Sequence, residues 1–141
     1  LATMADVRRI LGADLAEIDQ HATADGQGKT LAESVTRFAR MLGRDAQDGT
    51  AEDWRVAASH IREAQLRSIQ DGAALVLSAS GLDAAAPIVT AGIGAREGAE
   101  IARRLGRTAI DYGTLVGAEP AARGWATAAA PAVAVALLAG T

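Results

Sequence analysis

Pro87-Ile-Val-Thr-Ala-Gly-Ile-Gly-Ala-Arg-Glu-Gly-Ala-Glu-Ile-Ala-Arg-Arg-Leu-Gly-Arg-Thr-Ala-Ile-Asp111 is the stretch whose reading decides the fold. Ile88 and Val89 form a short apolar run that leads into Gly92-Ile93-Gly94. A segment with charged and apolar stripes at helical spacing follows, then a second apolar run ending at Asp111. The order is strand, glycine turn, helix, strand. A glycine turn between strand and helix lets backbone approach a ligand and sets helix N–H groups beside it. Gly92-x-Gly94-x-x-x-Gly98 with Asp111 also imitates a dinucleotide fingerprint, in which the acid holds a ribose hydroxyl. Against that, the unit lies late in the chain and about ninety residues of helical pattern precede it, where a dinucleotide fold needs further strand–helix units. A tight turn with no ligand role is the simpler alternative.

Outward from this unit, the pattern is helical. Leu1, Met4, Val7, Ile10 and Leu11 have helical spacing up to Gly12, as if closing a helix. Residues 13–29, with Asp14, Glu17, Asp19, His21, Asp25, Gly26 and Gly28, show little apolar periodicity and read as a long loop. Thr30 and Glu33 form a capping box for a helix with a buried stripe of Leu31, Val35, Phe38, Met41 and Leu42, ended by Gly43. Thr50, with Glu52 and Asp53, opens a helix to Ser80-Gly81 whose face carries Trp54, Ala58, Ile61, Gln65, Ile69, Ala73, Val76 and Leu77. At 1.5 Å per residue this spine is ~45 Å long. Residues 125–139 read as one alanine-rich helix, apolar nearly all round and hence buried, with Pro131 in its first turns or at a kink. The expected fold class is helix-dominated α/β in a single partial domain. It comprises 1–50 (helix, loop, helix), the spine over 51–81, and the strand–turn–helix–strand unit with its terminal helix over 87–141.

Composition narrows the function. The chain has 141 residues, 50% hydrophobic and only 3% aromatic, which suits closely packed helices. With 14 basic and 17 acidic residues the net charge is −3, so no nucleic-acid face is expected. No cysteine is present, which excludes disulfides, thiolate zinc sites and cysteine nucleophiles. Two histidines, His21 and His60, exclude a histidine-rich metal site. His60 lies on the spine three residues before Glu63, the spacing of a solvated helical pair. The apolar tail is shorter than the ~20 residues that span a bilayer. No secretion signal is visible, and a cytoplasmic protein is expected. A chain that begins on Leu1 and shows two strands, where stable sheets usually need three or more, is expected to be a piece of a larger protein.

Several segments carry a resemblance. They are Leu1-Ala-Thr-Met-Ala-Asp-Val-Arg-Arg-Ile-Leu-Gly12, His21-Ala-Thr-Ala-Asp-Gly-Gln-Gly-Lys-Thr30, Phe38-Ala-Arg-Met-Leu-Gly-Arg-Asp45, Ala64-Gln-Leu-Arg67 and Ala130-Pro-Ala-Val-Ala-Val-Ala-Leu-Leu-Ala139. Together they resemble the hydantoinase/oxoprolinase-like proteins of tetrahydromethanopterin-linked one-carbon transfer, related to an archaeal methanofuran-biosynthesis synthase. The Thr-Ala-Asp-Gly stretch is the most specific, and Gln27 stands where such proteins usually carry arginine.

The resemblance implies the C-terminal lobe portion of an actin/sugar-kinase/Hsp70-type (ribonuclease-H-like) two-lobed fold, its sheet completed by an N-terminal region of the same protein. It implies a transferase that joins an aminomethylfuran-methyl diphosphate to a tyramine phenol and releases pyrophosphate. Ala91, Gly92, Ile93, Gly94 and Arg96 would then lie against the ligand. Asp25 would bind magnesium, Lys29 would meet a phosphate and His21 would help deprotonate the phenol, because a diphosphate leaving group needs cationic or N–H partners and a divalent metal. ATP in place of the organic diphosphate would mark a kinase-like or hydantoinase-like relative. Each residue also has a plainer reading: Asp25-Gly26 as a turn pair, Lys29 as solvated, His21 and Arg96 as surface side chains, Trp54 and Trp125 as packing. A non-catalytic dimerisation or scaffold module, its long helix paired with a twin, is the alternative from a different class.

Overall fold

The computed structural model describes residues 1–13 and 18–140, so Asp14 and Glu17 of the long loop lie outside the described residues. The described chain is a helix-dominated α/β structure with one small parallel sheet of two strands. It divides into two compact units, Leu1–Gln65 and Leu66–Thr141.

The first unit holds α1 (Met4–Ile10), an irregular segment over 18–30, α2 (Leu31–Met41), a 3₁₀ turn (Ala46–Asp48) and the first half of α3 (Ala51–Ser80). Each helix start is a reciprocal cap. Thr3 pairs with Asp6, Thr30 with Glu33, Asp45 with Asp48, and Thr50 with Asp53, so orphan N–H groups are satisfied at four successive starts. Because Thr3 caps it, α1 is a short helix in its own right rather than the end of a longer one. The core brings together Val7, Ile10, Phe38, Ala39, Trp54 and Ala58. Phe38 and Trp54 meet edge to face at 6.5 Å, and the Trp54 indole N–H donates to the Ala46 carbonyl at 3.0 Å.

The face that α2 buries keeps only part of the expected stripe, Phe38 in the core and Val35 packed against it. Leu31, Met41 and Leu42 are exposed, while Ser34, Arg37, Phe38 and Ala39 are buried. An acidic partner on α1 turns the helix toward Arg37, as described below. Along α3 the expected face is buried through Trp54, Ala58 and the neighbouring Leu66, then emerges: Ile69 and Val76 are exposed, and Leu75 is 71% exposed.

The second unit contains the rest of α3, β1 (Ile88–Thr90), α4 (Ala95–Arg104), β2 (Ala109–Asp111), α5 (Tyr112–Leu115), a 3₁₀ turn (Pro120–Ala122), α6 (Arg123–Ala128) and α7 (Ala130–Ala139). The strands pair in parallel, Ile88 with Ala109, Val89 with Ile110 and Thr90 with Asp111. The crossover is α4, which packs on both strands and buries Ile101 and Ala102. The segment expected as one helix over 125–139 is two, bent by 104° at Ala129, with Pro131 in the first turn of α7. A proline there has no N–H to lose, but its ring opposes continuation from α6.

The expectation that this terminal helix is buried is overturned. Leu138 is 76% and Val135 66% exposed, and within α7 only Ala130 is buried. Apolarity all round signals a helix that can be surrounded, without fixing what surrounds it. Trp125 on α6 is likewise exposed, so core packing does not account for it.

One close approach decides how α5 and α6 meet. A Cβ on Gly113 would lie 2.2 Å from the Arg123 carbonyl oxygen. That neighbour is backbone and cannot swing aside. Gly113→Ala is therefore expected to force α5 from α6 and to destabilise the second unit by about 1–3 kcal/mol. Hydrogen exchange would read this as faster exchange at α5 and α6 with α1 and α2 unchanged.

Candidate functional site

In the first unit the chemistry gathers around Arg37. Asp6 sits in the first turn of α1, where one carboxylate oxygen accepts from the Thr3 N–H at 2.9 Å. Its other oxygen accepts twice from Arg37, from Nη2 at 2.7 Å and from Nε at 3.1 Å. Both residues are 2% exposed. The remaining side of the guanidinium faces the loop: Nη1 donates to Asp25 Oδ1 at 3.1 Å and to the Gly28 carbonyl at 3.0 Å. Ser34 Oγ completes the set at 3.4 Å from Nη2. A rigid planar fork can hold a helix and a loop in fixed directions at once.

The loop is tied at further points. Arg9 on α1 pairs with Asp19. Lys29 Nζ donates to the Asp19 carbonyl at 2.5 Å and lies 3.5 Å from its carboxylate. The Gln27 N–H donates to Asp25 Oδ1 at 3.1 Å, and the Gly28 N–H donates to Glu33 at 3.1 Å. Asp25 is thus an exposed residue whose Oδ1 already accepts from Gln27 and Arg37. Burial pushes the Asp25 carboxyl up, but the Gln27 N–H and Arg37 together hold it below its ordinary value. For Asp6 burial likewise pushes the carboxyl up, yet the bonds from Arg37, Thr3 and Ser34 outweigh it and keep the pKa low. His21 is exposed.

The second unit places the glycine turn at the carboxyl end of β1. Gly92 adopts φ +74°, which glycine takes without strain. Its N–H donates to the Thr127 carbonyl at 2.7 Å, and the Gly92 carbonyl accepts from the Ala95 N–H at 3.1 Å. Thr127 is buried, and its hydroxyl accepts from the Gly113 N–H at 2.9 Å. One α6 residue therefore fastens both the turn and α5. At the end of β2, Asp111 accepts from the Thr90 hydroxyl at 2.6 Å, closing the C-terminal edge of the sheet. Ala91, Ile93 and Arg96 are exposed around the turn, and Gly94 is half-buried.

The expected site residues consequently fall into two sets. His21, Asp25 and Lys29 lie in the first unit, and Ala91, Gly92, Ile93, Gly94 and Arg96 in the second. Among the described residues no group of three or more His, Asp or Glu side chains is arranged to hold a metal ion. Lys29 lies against Asp19, and Asp25 against Arg37. No known family model matches this chain, and no curated protein matches its sequence.

Sequence reasoning passed over Asp6, Arg9, Ser34 and Arg37. Asp6 and Arg37 are 31 positions apart, and no motif links them. The available signal was indirect: Ser34 and Arg37 sit three apart on one helix, next to Phe38 on its apolar side.

Removing one partner of the buried pair leaves an uncompensated charge. Arg37→Met is expected to cost about 3–5 kcal/mol of stability in denaturant titration. The pH dependence follows from the depressed Asp6 pKa. A lowered folded-state pKa gives stability that is complete above the unfolded value, 3.8, and is lost as pH falls through the folded one. Asp6→Asn should lack that contribution, so the gap between wild type and variant should narrow in acid. A gap that stays constant down to about pH 2 would contradict this assignment.

Proposed function

We propose that this chain is the C-terminal part of a transferase of methanofuran/tetrahydromethanopterin-linked one-carbon metabolism, built on an actin/Hsp70-like two-lobed fold. The reaction joins an aminomethylfuran-methyl diphosphate to a tyramine phenol and releases pyrophosphate. One observation carries the reading: the Gly92–Gly94 turn and Asp111 share the carboxyl edge of a parallel β–α–β unit. That edge is where α/β sheets bind ligands. In this reading Ala91, Gly92, Ile93 and Gly94 present backbone to the ligand, and Arg96 opens α4 beside them. Gly92 supplies turn geometry more than an N–H donor, since Thr127 takes its N–H.

Assigned separately, the loop of the first unit serves the diphosphate. Lys29 has three N–H donors and keeps capacity for a phosphate oxygen beyond its bonds to Asp19. Asp25 would hold a magnesium ion, which supplies neutralisation of charge on the leaving group. His21, exposed on the same loop, takes the phenol proton. The sheet of two three-residue strands calls for further strands, which the resemblance assigns to an N-terminal region of the same protein.

A second reading is a non-catalytic dimerisation module. It is favoured by the exposed apolar side chains of α3, Ile69, Leu75 and Val76.

Co-expression with the strand-supplying region separates the two. The transferase reading expects pyrophosphate release from the furan diphosphate and tyramine phenol, falling about 10²-fold or more for Lys29→Ala. Gly92→Ala, strained by about 1–2 kcal/mol at φ +74°, should weaken binding at the turn. A stable dimer of the chain alone, with melting indifferent to pyrophosphate and magnesium, would favour the module. Stabilisation by ATP but not by pyrophosphate would indicate a kinase-like relative.

A further inference from the structure

Two helical segments of the second unit carry no charge and stand largely in water. The first is the end of α3, Gly72–Ser80, flanked by Asp71 and Asp83. The second is α7, inside a run from Gly124 to Thr141 that has no ionisable side chain. At 1.5 Å per residue each is roughly 15 Å long. Neither covers the other within one copy, since Ile69, Leu75 and Val76 on α3 and Val135, Leu137 and Leu138 on α7 are all exposed.

The two faces also differ in relief. Ile69, Gly72, Ala73 and Val76 follow one another at i, i+3, i+4 and i+7, so they share one side of α3. A Cβ on Gly72 would meet nothing within 4 Å, which leaves a shallow strip between Ile69 and Val76. On α7, Val135 and Leu138 stand one turn apart as branched ridges, and a ridge packs into a groove. A charged protein surface is a poor match, because its charges would be left dry and uncompensated. A lipid surface is a poor match too. Helices that lie in a membrane interface set Lys or Arg on a polar face, which α7 lacks, and the 104° bend breaks any continuous span with α6.

We infer that these faces form a dimer interface, in which α7 of one copy packs into the α3 strip of a second copy and the reverse. The exchange is reciprocal, so it closes on a two-fold axis and leaves neither face over. The six exposed side chains offer on the order of 700 Å² per copy, against the ~800 Å² per partner of a standard stable interface. The pairing does not rest on the transferase reading, because no residue assigned to its ligand lies on either face.

Sedimentation equilibrium of the 141-residue chain reads the pairing directly. A dimer is expected, its affinity moving less than about threefold between roughly 0.05 and 0.5 M NaCl, because neither face has a charge to screen. Gly72→Trp fills the strip, yet in a single copy it enters open space and suits a helix better than glycine. It should keep the helical circular dichroism and weaken the dimer about tenfold or more. Val135→Glu, changed at a side chain already in water, should do the same. A nitroxide on Ala79→Cys, the sole cysteine of that variant, is mixed with isotope-labelled unmodified chain. It should broaden the α7 amides of the unmodified copy most strongly.

Broadening strongest on α3 means that like faces meet, and overturns the pairing. A monomer at about 100 μM overturns it, that being a hundred times the Kd of a ~1 μM interface. So does an affinity unchanged by both Gly72→Trp and Val135→Glu. Flotation of the monomer with phosphatidylcholine vesicles would give these faces to lipid and overturn it as well.

Discussion

The ion pair between Asp6 and Arg37 is the constraint on which the first unit depends. Burying one charge of either sign is costly, and burying both is tolerable only if every donor and lone pair finds a partner. Here the partners are a helix cap on one side and a loop on the other, so the pair is a joint between three segments. The helix α2 turns its Arg37 side inward and leaves Leu31 and Leu42 in water.

In the second unit the same role falls to Thr127. Its carbonyl and hydroxyl hold the N–H groups of Gly92 and Gly113, two backbone positions twenty-one residues apart in sequence. Glycine is needed at each for a different reason: a positive φ at Gly92, and contact with the Arg123 backbone at Gly113. The parallel strands are only three residues long, and the fastening by Thr127 supplements a ladder too short to hold itself.

What the sequence made legible was local. The strand–turn–helix–strand order, the capping box at Thr30 and the stop at Gly43 rest on neighbours within a few positions, and the structure has them. The face of α2 was legible at Phe38 and Val35 but not at its polar edge, where Arg37 is buried by a salt bridge spanning 31 positions. The burial of α7 was misread because an all-apolar helix specifies a low-polarity setting and not its source. Asp25 was singled out from its own stretch of sequence. The arginine that holds it was not, since nothing near residue 37 refers to residue 25.

The bare surface of α7 alters how this chain responds to unfolding. Both the denaturant slope and the heat-capacity increment grow with the area newly exposed when a fold opens. Val135, Leu137 and Leu138 already stand in water, as do Leu75 and Val76 on α3. A chain of 141 residues folded in this way has less apolar surface left to release than its length implies. Its stability curve is correspondingly flatter with temperature, and its transition in urea broader, until something covers those helices.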